Sequence, residues 1–145
     1  MYDVLDICEY IIDYCNEKDY GVSNLKLQKL LYFVQAFFLI SDDGSPCFHE
    51  EIEAWAFGPV VPKAYYRYRI YGFSNIQSSH KEFDSVINSV DKEKIASVVE
   101  MFKNYSAPEL VKLTHQQRPW IDAYAQGRNT VIGIEKIRDY FDGKQ

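Results

Sequence analysis

Apolar positions along the chain follow the helical period for most of its length and drop to a period of two in one short stretch. Over residues 3–18, Val4, Cys8, Ile11, Ile12 and Cys15 fall on one helix face, with Asp6, Glu9, Asp13 and Asn16 on the other. Tyr20-Gly21 breaks the pattern. Ser23 is a favourable N-cap, because its hydroxyl can accept from an orphaned backbone N–H. It opens a helix predicted over residues 24–41. There Leu27, Leu30, Leu31, Val34, Phe37 and Phe38 form one stripe, while Phe33, Ala36 and Ile40 carry apolarity around the cylinder. A helix apolar nearly all round is buried, so this one is expected at the centre, with Lys26 and Lys29 confined to its first turns. Asp42-Asp43-Gly44-Ser45-Pro46 is a turn.

In residues 48–57 the period is two. Ile52, Ala54 and Ala56 point one way and Glu51, Glu53, Trp55 and Phe57 the other, which is the pattern of a strand. A lone strand needs a partner, and the stretch at 72–77 is the expected one. Gly58-Pro59-Val60-Val61-Pro62 reads as rigid punctuation, with Pro62 opening a short helix over 63–71 that Gly72 stops. Residues 73–90 are polar and weakly patterned, a loop. Asp91 caps a helix over 92–105 with Ile95, Val98, Val99 and Phe102 in register. Ser106-Ala107-Pro108-Glu109 is a capping box that starts a helix carrying Leu110, Val111 and Leu113. Pro119 starts a short helix containing Trp120, and Thr130 opens a last one with Ile134, Ile137, Tyr140 and Phe141. The predicted fold class is mainly α (α+β): one compact helical domain, residues 1–145, around a central buried helix with a small β-hairpin or ribbon.

Composition adds three constraints. The chain is 47% hydrophobic over 145 residues, enough for a packed core without staples. It has 12 Tyr and 9 Phe, more than a small core needs, and surplus Tyr suits wet surfaces and interfaces. The net charge of -5 opposes binding to phosphate backbones. Cys8, Cys15 and Cys47 form no CxxC pair and read as buried small hydrophobes. An odd cysteine count without a basic N-terminal leader suits a reducing cytoplasm. No apolar run reaches the ~18 residues that span a membrane.

Candidate chemistry is sparse. His49, Glu50, Glu51 and Glu53 cluster in sequence, but on a strand Glu50 faces away from the other three, and a solvated strand face is the simpler account. Thr114-His115 resembles half of a catalytic pair, yet adjacent helical residues do not face each other; Thr114 can bond back to its helix and His115 can cap the terminal carbonyls. The run from Lys63 to Tyr71 interleaves Lys63, Arg67 and Arg69 with Tyr65, Tyr66, Tyr68 and Tyr71. Such a run can stack on single-stranded nucleic acid or supply protein-interface hot spots, and the acidic chain favours a protein. No GxGxxG, P-loop, HExxH, GxSxG or zinc-type spacing is present. No cofactor and no metal is expected. An enzyme built on Glu51, Glu53 and His115, and a nucleic-acid binder using Lys63, Arg67 and Arg69, are the alternatives to a binding module.

Three blocks together carry a resemblance. Leu25-Lys26-Leu27-Gln28-Lys29-Leu30-Leu31-Tyr32-Phe33, then Phe48 to Tyr66 with Ile52-Glu53-Ala54-Trp55, Phe57-Gly58-Pro59-Val60-Val61-Pro62 and Tyr65, then Leu113-Thr114-His115 with Pro119-Trp120, resemble in order the Panacea domain of the SocA-like antitoxin family, which includes phage-associated GepA-type proteins. The resemblance implies a bacterial or prophage antitoxin, encoded beside a toxin that it binds and neutralises without catalysis. Relatives pair with diverse toxins, and one kind hands its toxin to a protease. Some relatives add a DNA-binding domain, for which this chain has no room. The expected toxin-binding surface is Trp55, Phe57, Gly58 and Pro59 with Tyr65, Tyr66, Arg67 and Arg69 on the following helix.

Overall fold

The computed structural model describes residues 1–78 and 86–143. Helix α1 (Val4–Glu17) is capped by the Asp3 carboxylate, which accepts from the Leu5 N–H at 2.8 Å, and it buries Val4, Ile7, Cys8, Ile11, Ile12 and Cys15. Helix α2 (Asn24–Leu39), capped by Ser23, is buried on all sides; only Leu25 and Phe37 reach intermediate exposure. The central position predicted for it is correct, and Lys26 and Lys29 in its first turns are themselves buried. Each finds a main-chain acceptor instead of water. The Lys26 ammonium donates to the Lys103 carbonyl at 3.3 Å and the Lys29 amine to the Pro59 carbonyl at 3.1 Å. A hydrophobicity pattern treats lysine as wet and does not anticipate this.

Around α2 follow β1 (Ile52–Trp55), β2 (Gly58–Val60), α3 (Pro62–Tyr68) with a 3₁₀ turn at Arg69–Tyr71, α4 (Ser89–Phe102), α5 (Ala107–His115), α6 (Arg118–Ala125), β3 (Thr130–Ile132) and α7 (Ile134–Phe141). α2 makes extensive contacts with α4, α5, α7, β2 and α3. The core is one cluster reaching from Val4 to Ile137, and Phe33 stacks on Phe102 at 4.3 Å. Cys8, Cys15 and Cys47 are free thiols inside it.

The sheet is antiparallel, in the order β2-β1-β3, with Glu53 opposite Val60 on one side and Val131 on the other. This corrects two expectations. The partners of β1 are not residues 72–77: they are Gly58–Val60, reached across the two-residue tip Ala56-Phe57, and Thr130–Ile132, which was expected to open the last helix. Pro59 can join because β2 is an edge strand, where its missing N–H breaks no ladder bond. The β-branched run Thr130-Val131-Ile132 suits an edge as well, and α7 starts only after Gly133. Ile76 instead donates its N–H to Val22 and is buried beside the α1–α2 junction. Helix α4 begins three residues before the expected start, capped by Asn88 rather than Asp91, whose carboxylate accepts the Tyr2 hydroxyl at 2.6 Å. Of the predicted loop 73–90, residues 79–85 lie outside the described residues.

Candidate functional site

The polar side chains of α2 point into the protein, and almost all of them hold main-chain atoms of the segment 47–65. The Asn24 amide donates to the Tyr65 carbonyl at 3.1 Å. Gln28 donates to the Asn24 side chain and accepts from the Val61 N–H at 3.0 Å. Gln35 accepts from the Cys47 N–H at 2.8 Å and donates to the Phe48 carbonyl at 3.1 Å. Lys29 holds the Pro59 carbonyl. Burying so many polar groups is tolerable only because each finds a partner; among the described residues no buried side-chain nitrogen or oxygen is left unpaired.

Two further helices grip the same hairpin from the other side. At the end of α5 the His115 Nε2 lies 2.9 Å from the Ala56 carbonyl, which fixes the tautomer with the proton on Nε2. His115 is thus a brace on the hairpin, not the helix cap expected for it. From α6 the Trp120 indole N–H donates to the Trp55 carbonyl at 2.8 Å. The Trp120 ring is sandwiched between His115 at 4.1 Å and Tyr124 at 4.7 Å. Thr114, fully buried, bonds back to the carbonyls of Leu110 and Val111 as expected. Pro119 is buried in the first turn of α6. Tyr32 donates to Gln117 at 2.8 Å and ties α2 to the α5–α6 corner.

Gly58 sits where these braces meet. Its φ is +109°, a region L side chains rarely adopt, and a Cβ there would lie 2.7 Å from Lys29 Cε and 2.9 Å from Thr114 Oγ1. Gly58 and Pro59 are themselves buried. The outcome is a hairpin tip fixed in place by its backbone, with Phe57 held out at 67% exposure. Beside it Trp55 packs against Tyr65 at 5.0 Å and Tyr66 at 6.1 Å, and its indole N–H donates to Glu53 at 2.9 Å.

The remaining candidates are dispersed. Glu50 accepts from the Val4 N–H at the start of α1 and pairs with Lys63, which also binds Asp3 at 2.7 Å. Glu51 is exposed just before β1, Glu53 accepts from the Trp55 indole and His115 is engaged by the Ala56 carbonyl, so no contact joins the three. Among the described residues no three His, Cys, Asp or Glu side chains assemble a metal-type set, and no helix is long and apolar enough to cross a membrane. On α3, Ala64 and Tyr68 face inward and Tyr66 outward; Arg69 is exposed in the 3₁₀ turn that follows. Its guanidinium lies over the Tyr66 ring at 5.1 Å, and that of Arg67 over Tyr68 at 5.2 Å.

Residues 27–121 match the profile of the family described as antitoxin SocA-like, Panacea domain. The chain belongs to the SocA-like antitoxin family. It is also 32% identical over 143 residues to antitoxin SocA of Caulobacter vibrioides (strain NA1000 / CB15N), covering 91% of this chain and 75% of that protein. No solved structure matches the chain. The three blocks singled out in the sequence, far apart along the chain, converge on one hairpin. Gln28 and Lys29 hold it from α2, and His115 and Trp120 from α5 and α6. Lys26, Leu27, Leu30 and Tyr32 are buried around them. Sequence reasoning missed Asn24, Gln35 and Gln117 as parts of this frame. For Asn24 and Gln35 the signal was present: polar residues inside a helix otherwise apolar nearly all round.

Proposed function

We propose that this protein is a cytoplasmic antitoxin that neutralises a protein toxin by direct contact, without catalysis, and that the contact is made by the braced tip and α3. The observation that carries this is the tip itself. Phe57 is a large apolar side chain held in solvent by a backbone anchored at Trp55, Ala56, Pro59 and Val61. Rigidity of this kind lowers the ordering cost of association, and exposed aromatic and Arg side chains supply most interface energy. Trp55, Tyr65, Tyr66, Arg67 and Arg69 extend the same surface. Gly58 and Pro59, being buried, shape the tip and leave the contact to their neighbours. Membership of an antitoxin family supports the same reading.

Nucleic acid is the weaker alternative. Lys63 is neutralised by Asp3 and Glu50, and Arg67 and Arg69 lie over tyrosine rings. The test is co-expression with the protein encoded beside this one. Wild type should rescue growth, and Phe57→Asp should not, at unchanged melting temperature. Full rescue by Phe57→Asp would move the contact elsewhere.

A further inference from the structure

Between the hairpin tip and the loop joining α6 to β3 runs a groove of about 680 Å³. Its walls are Leu25, Trp55, Phe57, Val60 and Tyr65, and its far edge is Arg128. Among the described residues no hydrogen bond or ion pair holds the Arg128 guanidinium, in a chain whose net charge is -5. The neighbouring Asn129 has a left-handed backbone (φ +66°), its N–H anchored on the Ala54 carbonyl at 2.8 Å, and its side-chain amide is likewise unengaged. No Asp or Glu lines the groove; the nearest carboxylate in the ring cluster, Glu53, is taken up by the Trp55 indole.

We propose that this groove receives a segment of the toxin presenting an apolar side chain immediately beside a carboxylate. The proposal rests on the toxin-contact reading above and adds the chemistry of what is bound. The apolar side chain lies against Trp55, Phe57 and Tyr65. The carboxylate takes charge-assisted hydrogen bonds from Arg128, the planar fork best matched to it, with Asn129 as a second donor. Because Arg128 is the one charged residue of the lining, it fixes the register: an uncharged segment leaves it unpaired, and a basic one is repelled.

The chain has two tryptophans, so their indole ¹H–¹⁵N resonances form a built-in comparison: Trp55 faces the groove and Trp120 is stacked behind the hairpin. The full-length protein is titrated with acetyl-Gly-Leu-Phe-Asp-Gly-amide and with the same peptide carrying Asn for Asp. The Asp peptide should shift the Trp55 indole saturably, with Trp120 moving far less. Changing to the Asn peptide, or to Arg128→Gln protein, should each weaken binding about fivefold, the scale of one charged pair at an accessible site. Lys136→Gln, the same charge change on the exposed face of α7, should leave binding unchanged. No saturable Trp55 shift, equal affinity for the two peptides, or binding undiminished in Arg128→Gln overturns the proposal. If it fails while Phe57→Asp still abolishes neutralisation, the groove chemistry falls and the toxin-contact reading stands. If the peptide binds through Arg128 but Phe57→Asp neutralises normally, the toxin is held elsewhere and both readings fall.

Discussion

Where α2 meets α4 and α7 the contacts are ring on ring: Phe33 stacks on Phe102, and Tyr32 and Phe33 both meet Phe141 edge-on. Where the same helix meets residues 47–65, the contacts are amides and an amine on main-chain atoms. The first kind is non-directional and scales with area removed from water. The second is worth little net, but costs a great deal if left half made. One side of α2 therefore carries stability and the other carries position. A slip of the hairpin by one residue would orphan several buried polar groups together, besides turning Ile52 and Ala54 out of the core.

The largest effect separating the two sides is expected from Phe33→Ala, which should cost about 3–5 kcal/mol in equilibrium denaturation through lost burial and a cavity. A loss below 1 kcal/mol would mean that the ring stack is not a stability element. Next comes Gln28→Ala, which strands the Val61 N–H and the Asn24 amide and should cost about 1–3 kcal/mol. Its distinctive sign should be faster amide exchange in the hairpin than in α1 or α4; uniform acceleration would contradict a local brace.

Lys29 gives a subtler signature. Burial pushes its amine down to about 7, against an ordinary value of 10.5 in the unfolded chain. Between those values the unfolded chain holds the extra proton, so stability rises with pH; below about 7 both states are protonated and the penalty is constant. Burial raises the Cys and Tyr groups of the core instead, which pulls the other way above about pH 9. Between pH 7 and 9, wild type should therefore gain relative to Lys29→Met by up to about 1.4 kcal/mol per pH unit. Parallel stability curves for the two proteins would show that Lys29 stays charged. The smallest stability effect belongs to Tyr66→Ala with Arg67→Ala, within about 0.5 kcal/mol of wild type. The same pair should weaken toxin binding more than tenfold by titration calorimetry, and unchanged affinity would exclude α3 from the contact.

Much of this was legible from local signals. The α2 stripe, the Ser23 cap and the Ser106–Glu109 capping box, which forms as predicted, depend on residues near one another in sequence. What was not legible depended on pairing at a distance. Residues 130–132 carry strand propensity for only three positions, too few to outweigh the helical run that follows. Gly58-Pro59 reads as a break unless one knows that its strand lies on an edge. The role of Lys29 was hidden because a helical pattern cannot see a carbonyl arriving from thirty residues away. The surplus of tyrosine seen in the composition was legible too: Tyr66 on α3 remains about half exposed.

The hairpin braces share one property with a consequence for how the surface can change. Trp120, His115 and Lys29 hold the carbonyls of Trp55, Ala56 and Pro59, and Gln28 holds the N–H of Val61. None of them grips a side chain of the tip. Every amino acid offers the same carbonyl, so the frame is indifferent to what stands at position 57 and constrains only the path of the chain. Substitutions at the exposed end of the hairpin should alter which partner is recognised while the shape that presents it persists, as a chuck holds interchangeable bits.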